Sequence, residues 1–323
     1  MSAGSGSMEN EFPLELKKTD ITPYLAGNTG IRGVTTFDSG RAGPHVAITA
    51  VVHGNELCGP IALDWLFRNE VRPLTGKLSL AFVNLDAYDL YDEADPFASR
   101  WGDEDMNRLW QNETLTDDST RERRRARELR PFVDTVDLLL DLHSMQNATE
   151  ALTLSGALEK GRELARAVGV PALVVADKGH AAGKRLRDYG GFGDPSSAKN
   201  ALLIECGQHW EQSSADVALA SSLRFLQATG AVSPDFGADT LAGFGTPSAQ
   251  RFVEILQPVT IETDAFRFEQ DFKGMEVIDK AGTVIGHDGD TPVTAPVDGT
   301  VLIMPSRRLD KGMTAVRLGR YLA

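Results

Sequence analysis

The chain has 323 residues, long enough for two domains or for one large domain with an appendage, and its 41% hydrophobic and 24% charged content is ordinary for a soluble globular protein. A net charge of −13 argues against non-specific nucleic-acid binding and against an anionic membrane surface, since both want a basic face. It leaves room for a small acidic ligand, because a few arginines inside a cleft reverse the field locally. No apolar run approaches the roughly 18 to 20 residues needed to span a bilayer.

In chain order, residues 1–12 are Ser/Gly-rich, lack the basic and apolar regions of a secretory signal, and read as a disordered tail. Two cysteines, Cys58 and Cys206, make no disulfide framework and fit a reducing compartment, so a cytoplasmic location is expected. Residues 45–52, 77–84, 136–142, 171–176 and 201–206 read as short buried strands. Helical patterns at 57–69, 117–131, 158–168 and 213–228 lie between several of them. That alternation predicts an α/β layer structure with a largely parallel sheet over residues 13–240. The arginine-rich segment 120–130, with Glu122 and Glu128 interleaved, reads as a solvated helix face with i,i+4 pairing. Residues 230–250 have the Gly/Ala/Pro/Ser content of a linker or mobile loop. Beyond them, short alternating runs at 251–257, 265–269, 275–278, 283–287 and 300–304 predict a small β-rich domain over 241–323. The hairpin-like stretch 295–305 is its clearest element. It is similar to lipoyl- or biotinyl-carrier hairpins but lacks their Met-Lys-Met-like tip, so a structural role beside the cleft is expected.

Three apolar runs end in ionisable residues: His53, His143 and Glu205. A charge or imidazole at the end of a buried strand costs free energy unless it is paired or metal-bound. In open α/β sheets the ligand crevice lies beyond the carboxyl ends of the strands, so parallel, adjacent strands would bring these side chains to one rim. His53 and Glu56, three residues apart across a Gly-containing turn, then form a zinc site with His143 that leaves one coordination position open. Asp141, two residues before His143, points the same way and is a candidate partner for that histidine or for substrate. Glu205 suits the general base, taking a proton from water activated at the metal and passing it to a leaving nitrogen. Arg100, Asn107 and Arg108 lie on a stretch with loop character, where guanidinium groups could clamp a substrate carboxylate. The other histidines carry less signal: His45 begins a strand, His180 and His287 lie in Gly-rich loops, and His209 is placed near the cleft without a ligand role.

At His53-Gly-Asn-Glu56, Arg100-x4-Asp-Met-Asn107-Arg108, Asp141-Leu-His143 and Ile-Glu205-x-Gly the chain resembles the succinylglutamate desuccinylase/aspartoacylase family, relatives of the zinc carboxypeptidases. The resemblance implies a zinc-carboxypeptidase-like three-layer αβα catalytic domain with a mostly parallel mixed sheet and a smaller C-terminal β-rich domain. It implies one Zn2+ per chain, held by His53, Glu56 and His143, with Glu205 as proton shuttle. Asn107 and Arg108 would grip the substrate carboxylate, and Arg100 would polarise the scissile carbonyl. The reaction implied is hydrolysis of the amide of a small acidic N-acylated substrate. Two departures bear on recognition. The additional substrate arginine of aspartoacylase falls at Pro195, with Arg185, Arg187 and Lys199 the nearest cations, and the only tyrosine after residue 189 is Tyr321. A zinc carboxypeptidase acting on small peptides would share the ligand set, and a non-catalytic metal- or ligand-binding protein is the reading of a different class. The sequence leaves the oligomeric state open, a homo-oligomer included.

Overall fold

The computed structural model describes residues 11–179 and 182–322. The apolar runs form β1 (Val34–Asp38), β2 (His45–Ala50), β3 (Lys77–Phe82), β4 (Leu138–Met145), β5 (Leu152–Leu154), β6 (Leu173–Ala176) and β7 (Asn200–Gln208). Among them run α1 (Cys58–Arg68), α2 (Leu85–Asp89), α3 (Arg121–Val133) and α4 (Glu159–Val168), followed by α5 (Gln212–Ala228) and α6 (Ala238–Gly243). The remaining chain adds β8 (Arg251–Thr260), β9 (Phe266–Phe268), β10 (Val277–Ile278), β11 (Val284–Asp288), β12 (Thr291–Thr294), β13 (Thr300–Ile303) and β14 (Thr314–Tyr321).

Strands β3, β2, β4 and β7 lie side by side and parallel, so their carboxyl ends share one rim. The strands β2 and β7 are buried along their whole length, as parallel strands covered on both faces are. Successive residues feed opposite layers. Ile48, Leu80, Leu140, Leu202 and Ile204 pack against α1, α4 and α5, whereas Ala47, Ala81, Leu139 and Ala201 face Ala126, Leu129 and Phe132 of α3. Each fully buried leucine or isoleucine contributes about 1.5–3 kcal/mol. The fold is therefore three-layered, with helices on both sides of a mixed sheet. Beyond β7 the direction reverses: β5 pairs antiparallel with β7, and β6 and β8 follow parallel to β5.

The C-terminal strands extend the same sheet. Antiparallel β14, β13 and β10 follow β8 and complete eleven strands, and β12, β11 and β9 form a separate three-stranded sheet. Several expectations are corrected here. Stretch 295–305 is not a self-paired hairpin, because β13 takes β10 and β14 as its partners. Segment 230–250 is not linker alone, since it contains α6 and buries Leu241 in the main core. The expected tail falls mostly on residues 1–10, outside the described residues, but Phe12 packs on the core and Glu11 pairs with Arg307.

The arginines of α3 pair less within their helix than with the loop before it: Arg123 binds Glu104 and Asp117, and Arg121 binds Asp103. Glu122 is fully buried and accepts the backbone N–H groups of Gly102, Asp103 and Glu104 at 2.7, 3.0 and 3.3 Å. That anchor fixes the loop directly preceding Asp105, Asn107 and Arg108.

Candidate metal centre and substrate cleft

The chain leaves β2 through Val51, whose φ of 64° is a left-handed conformation costly for a β-branched residue. It then turns at Gly54, where an added Cβ would lie 2.2 Å from the carbonyl oxygen of Ala87 and 2.4 Å from that of Ser99. Only glycine fits so close an approach, and the turn presents His53 and Glu56 over the end of the sheet. Alternation along β4 puts Asp141 and His143 on one face. His143 is the register partner of Glu205 on β7, and Gly207, at φ 117°, takes the bend just beyond. The predicted meeting of three strand ends is the observed arrangement.

His53, Glu56 and His143 offer ligand atoms within 4.8 Å of one another, all buried, and form a group able to hold a metal ion. Both imidazoles turn Nδ1 towards Glu56: His53 at 2.8 Å from Oε1, His143 at 3.0 Å from Oε2. Their Nε2 atoms face other carboxylates, Asp105 Oδ1 at 2.9 Å for His53 and Asp141 Oδ2 at 2.9 Å for His143. If Nε2 of each ring carries the proton for its carboxylate, two Nδ1 lone pairs and a carboxylate aim at one point. Such a donor set is repulsive without a cation between its members, and it matches the carboxylate–histidine–metal pattern. The residues therefore fit a divalent ion. Burial alone would raise the Glu56 carboxyl, yet the two imidazoles outweigh it and hold the pKa well below the usual range. His143 moves oppositely: burial would lower it, but Asp141 and Glu56 push it well above the ordinary value.

Around this group lies a cleft with about 990 Å³ of atom-free space, part of it open to solvent. Glu205 lines it with Oε2 unpartnered among the described residues, and burial pushes its carboxyl up to about 7. Arg100 approaches Glu56 Oε1 at 3.4 Å and Asp105 Oδ2 at 3.7 Å, and Arg108 also lies 3.7 Å from Asp105 Oδ2. Asn107 accepts the Leu186 N–H on Oδ1 at 3.0 Å, leaving its amide hydrogens for the cleft. All seven predicted site residues thus line one cavity.

A model of the succinylglutamate desuccinylase/aspartoacylase catalytic domain matches residues 42–228. The chain belongs to this family. The fold carries over to solved members of the succinylglutamate desuccinylase/aspartoacylase group. Succinylglutamate desuccinylase from Vibrio cholerae superposes with a TM-score of 0.66 at 18% identity, over 90% of this chain and 85% of that one. The product-bound ectoine utilization protein EutE (DoeB) from Ruegeria pomeroyi gives 0.61 at 16% identity, over 89% and 88%. A succinylglutamate desuccinylase/aspartoacylase from Rhodobacter sphaeroides gives 0.60 at 18% identity, over 90% and 89%. A search of curated protein sequences finds no match.

Several cleft residues escaped the sequence reading. Asp105 stood inside a quoted motif, and the need of His53 for a carboxylate partner was the signal that could have assigned it. His209, which the sequence already placed near the cleft, borders it with Nδ1 2.8 Å from Ser144 Oγ, and burial lowers its pKa to about 3, which keeps it neutral. Lys273, Arg308 and Arg317 enter from the C-terminal strands and loops, and no sequence spacing links them to the catalytic segments. Of the cations near Pro195, Arg185 reaches the cleft, whereas Lys199 donates to the Asp134 carbonyl oxygen. Tyr321 lies against Arg251, outside the cleft lining. His180 falls outside the described residues, and His287 sits in β11 rather than a loop, 2.8 Å from Glu269 Oε1. Among the described residues, no helix is long and apolar enough to cross a membrane.

Proposed function

We propose that the protein is a zinc-dependent amidohydrolase that removes the acyl group from a small acidic N-acyl amino acid. One observation carries the reading: a buried Glu205 oxygen, unpartnered among the described residues, faces the same cleft as His53, Glu56 and His143. The cleft's charge fits an acidic substrate. Six cationic side chains line it against three carboxylates, in a chain whose net charge is −13. Membership in a family of deacylases points the same way.

In this reading His53, Glu56 and His143 hold one zinc ion, which supplies Lewis acidity and lowers the pKa of water. Asp105 and Asp141 fix the tautomers of the two histidines. Glu205 accepts a proton from the attacking water on Oε2 and returns it to the departing amine nitrogen, a task suited to a carboxyl whose pKa burial has raised. Arg100 donates to the carbonyl oxygen as negative charge builds there. The Asn107 amide and the Arg108 guanidinium hold the substrate carboxylate. We assign the hydrolytic groups to residues 13–240 and the closing wall of the cleft to 241–323, from which Met304, Arg308 and Arg317 reach the lining.

The test is a release assay with the zinc-loaded protein over acetyl, succinyl and formyl amino acids, with dipeptides beside them. Free acid from an N-acyl amino acid is the expected result. Release of a C-terminal residue from dipeptides alone would turn the reading to a peptidase, and no turnover at all would turn it to a binding protein.

A further inference from the structure

His209 carries a buried ring nitrogen that the hydrolytic reading leaves unused. The ring lines the metal cleft, the residue is 1% exposed, and Nε2 has no partner among the described residues. An irregularity in the sheet brings it there. From the pair His143–Glu205 to the pair Met145–Gln208, β7 takes three steps against two on β4. That extra residue, with Gly207 at φ 117°, bends the strand end, as bulges beside active sites do. The His209 N–H then donates to the Met145 carbonyl oxygen at 2.9 Å and fixes the backbone just past the bend.

Hydrogen bonding sets the form of the ring. Ser144 Oγ lies 2.8 Å from Nδ1 and has no other hydrogen-bond partner among the described residues. Were the proton on Nδ1, the serine hydroxyl hydrogen and Nε2 would both be left unpaired in the interior. With the hydroxyl donating to Nδ1, only the Nε2–H is left over, on a ring that borders the cleft. Burial holds the ring's pKa down at about 3, so near neutrality it is a donor on one nitrogen and not an imidazolium. A buried N–H without an acceptor costs free energy, and an acceptor arriving in the cleft removes that cost.

The surroundings of the ring identify the acceptor. Phe97, whose ring centre lies 6.4 Å away, directly precedes the short 3-10 turn that carries Arg100. After burial itself, the groups that act most on His209 are Glu56, Arg100, His53 and His143. Those are the groups that meet the scissile carbonyl in the hydrolytic reading. A neutral imidazole polarises a carbonyl without placing a second positive charge beside Arg100. Its hydrogen bond strengthens as the oxygen becomes anionic.

We propose that His209, held in its Nε2–H form by Ser144, is a second donor to the scissile carbonyl oxygen, alongside Arg100. The catalytic role rests on the amidohydrolase reading; the buried donor rests on the geometry alone.

The experiment joins a proton position to a rate. Nitrogen-15 NMR of histidine-labelled protein near neutral pH, with His209 assigned by its absence from His209→Phe, is expected to show a neutral ring protonated on Nε2. A ring protonated on Nδ1, or an imidazolium, overturns the donor. Zinc-loaded wild type, His209→Phe and His209→Gln are then compared on acetyl, succinyl and formyl amino acids, with zinc content measured beside turnover. His209→Phe should keep its zinc, lose kcat by about 10²- to 10³-fold and leave KM within about threefold, as a bond made only in the transition state requires. His209→Gln offers an amide N–H near the Nε2 position and should recover at least about tenfold of that loss. Equal effects of the two variants, or a loss through KM or zinc content, make the ring structural and overturn the role. Should His209→Phe melt early, Ser144→Ala leaves the ring in place; it is expected to mix the tautomers and lower kcat, and unchanged kcat with mixed tautomers overturns the role.

Binding of N-(methylphosphonyl) amino acids, which carry charged oxygens on a tetrahedral centre in place of the carbonyl, keeps the two readings apart. Binding weakened at least about tenfold by His209→Phe, with no turnover by wild type, refutes the hydrolase and keeps the donor. Turnover with kcat and analogue binding both indifferent to His209 does the reverse. Neither turnover nor analogue binding by wild type refutes both.

Discussion

Nε2 of His143 lies 2.9 Å from Oδ2 of Asp141, both on β4. The other Asp141 oxygen accepts the hydroxyl of Thr49 at 2.7 Å, across the register pair that joins β2 to β4. The sheet itself thereby holds Nε2 of the histidine against a carboxylate and turns Nδ1 towards Glu56. Asp141→Asn keeps the shape and removes the charge, so zinc affinity should fall about 10- to 100-fold. Competition with a chromophoric chelator measures it, and unchanged affinity would show that the Asp141 contact does not tune the site.

Gly54 makes a separate claim about the turn. With the Ala87 carbonyl oxygen at 2.2 Å from an added Cβ, Gly54→Ala must displace backbone rather than a flexible side chain. A loss of about 2 kcal/mol or more is expected in urea unfolding, with weaker zinc retention, because His53 and Glu56 ride on this turn. Wild-type stability with full zinc content would mean that the turn relaxes without moving its ligands.

Asp177 gives a pH-dependent prediction. Burial would raise its carboxyl, but Arg185 and Arg317 outweigh that and bring it from the ordinary 3.8 down to about 2. A depressed carboxylate stabilises the folded state fully above its unfolded value, and the contribution is lost as the pH falls through its folded value. Asp177→Asn should therefore cost about 3–5 kcal/mol near neutrality, the scale for breaking a buried pair. The gap to wild type should stay constant down to about pH 4 and narrow by about 2 kcal/mol near pH 2. Chemical unfolding of both proteins across this range checks it, and a gap that widens on acidification would reverse the assignment.

The catalytic half was legible because its chemistry is punctuated by apolar strands. His53, His143 and Glu205 each interrupt or end a run of buried residues, and the parallel pairing of β2, β4 and β7 does the rest. The wall from the C-terminal strands was not legible. Strand β14 is buried through most of its length, yet Arg317, Gly319 and Arg320 break its apolar pattern. The three-residue β5 is too short to show a period, and its antiparallel insertion beside β7 reverses the remaining sheet. Arg185 and Arg317 meet on Asp177 from positions far apart in the chain, a contact that depends on tertiary structure alone.

The most direct test of a hydrolytic metal centre separates the base from the ligands. Zinc content per chain and turnover of the best N-acyl amino acid are measured together for wild type and Glu205→Gln. Glu205 faces the cleft but is not one of the three grouped ligand residues. The account predicts that the variant keeps one zinc per chain and loses kcat by about 10²- to 10⁴-fold, the usual contribution of a general base. A variant that turns over at the wild-type rate with its zinc in place would contradict it.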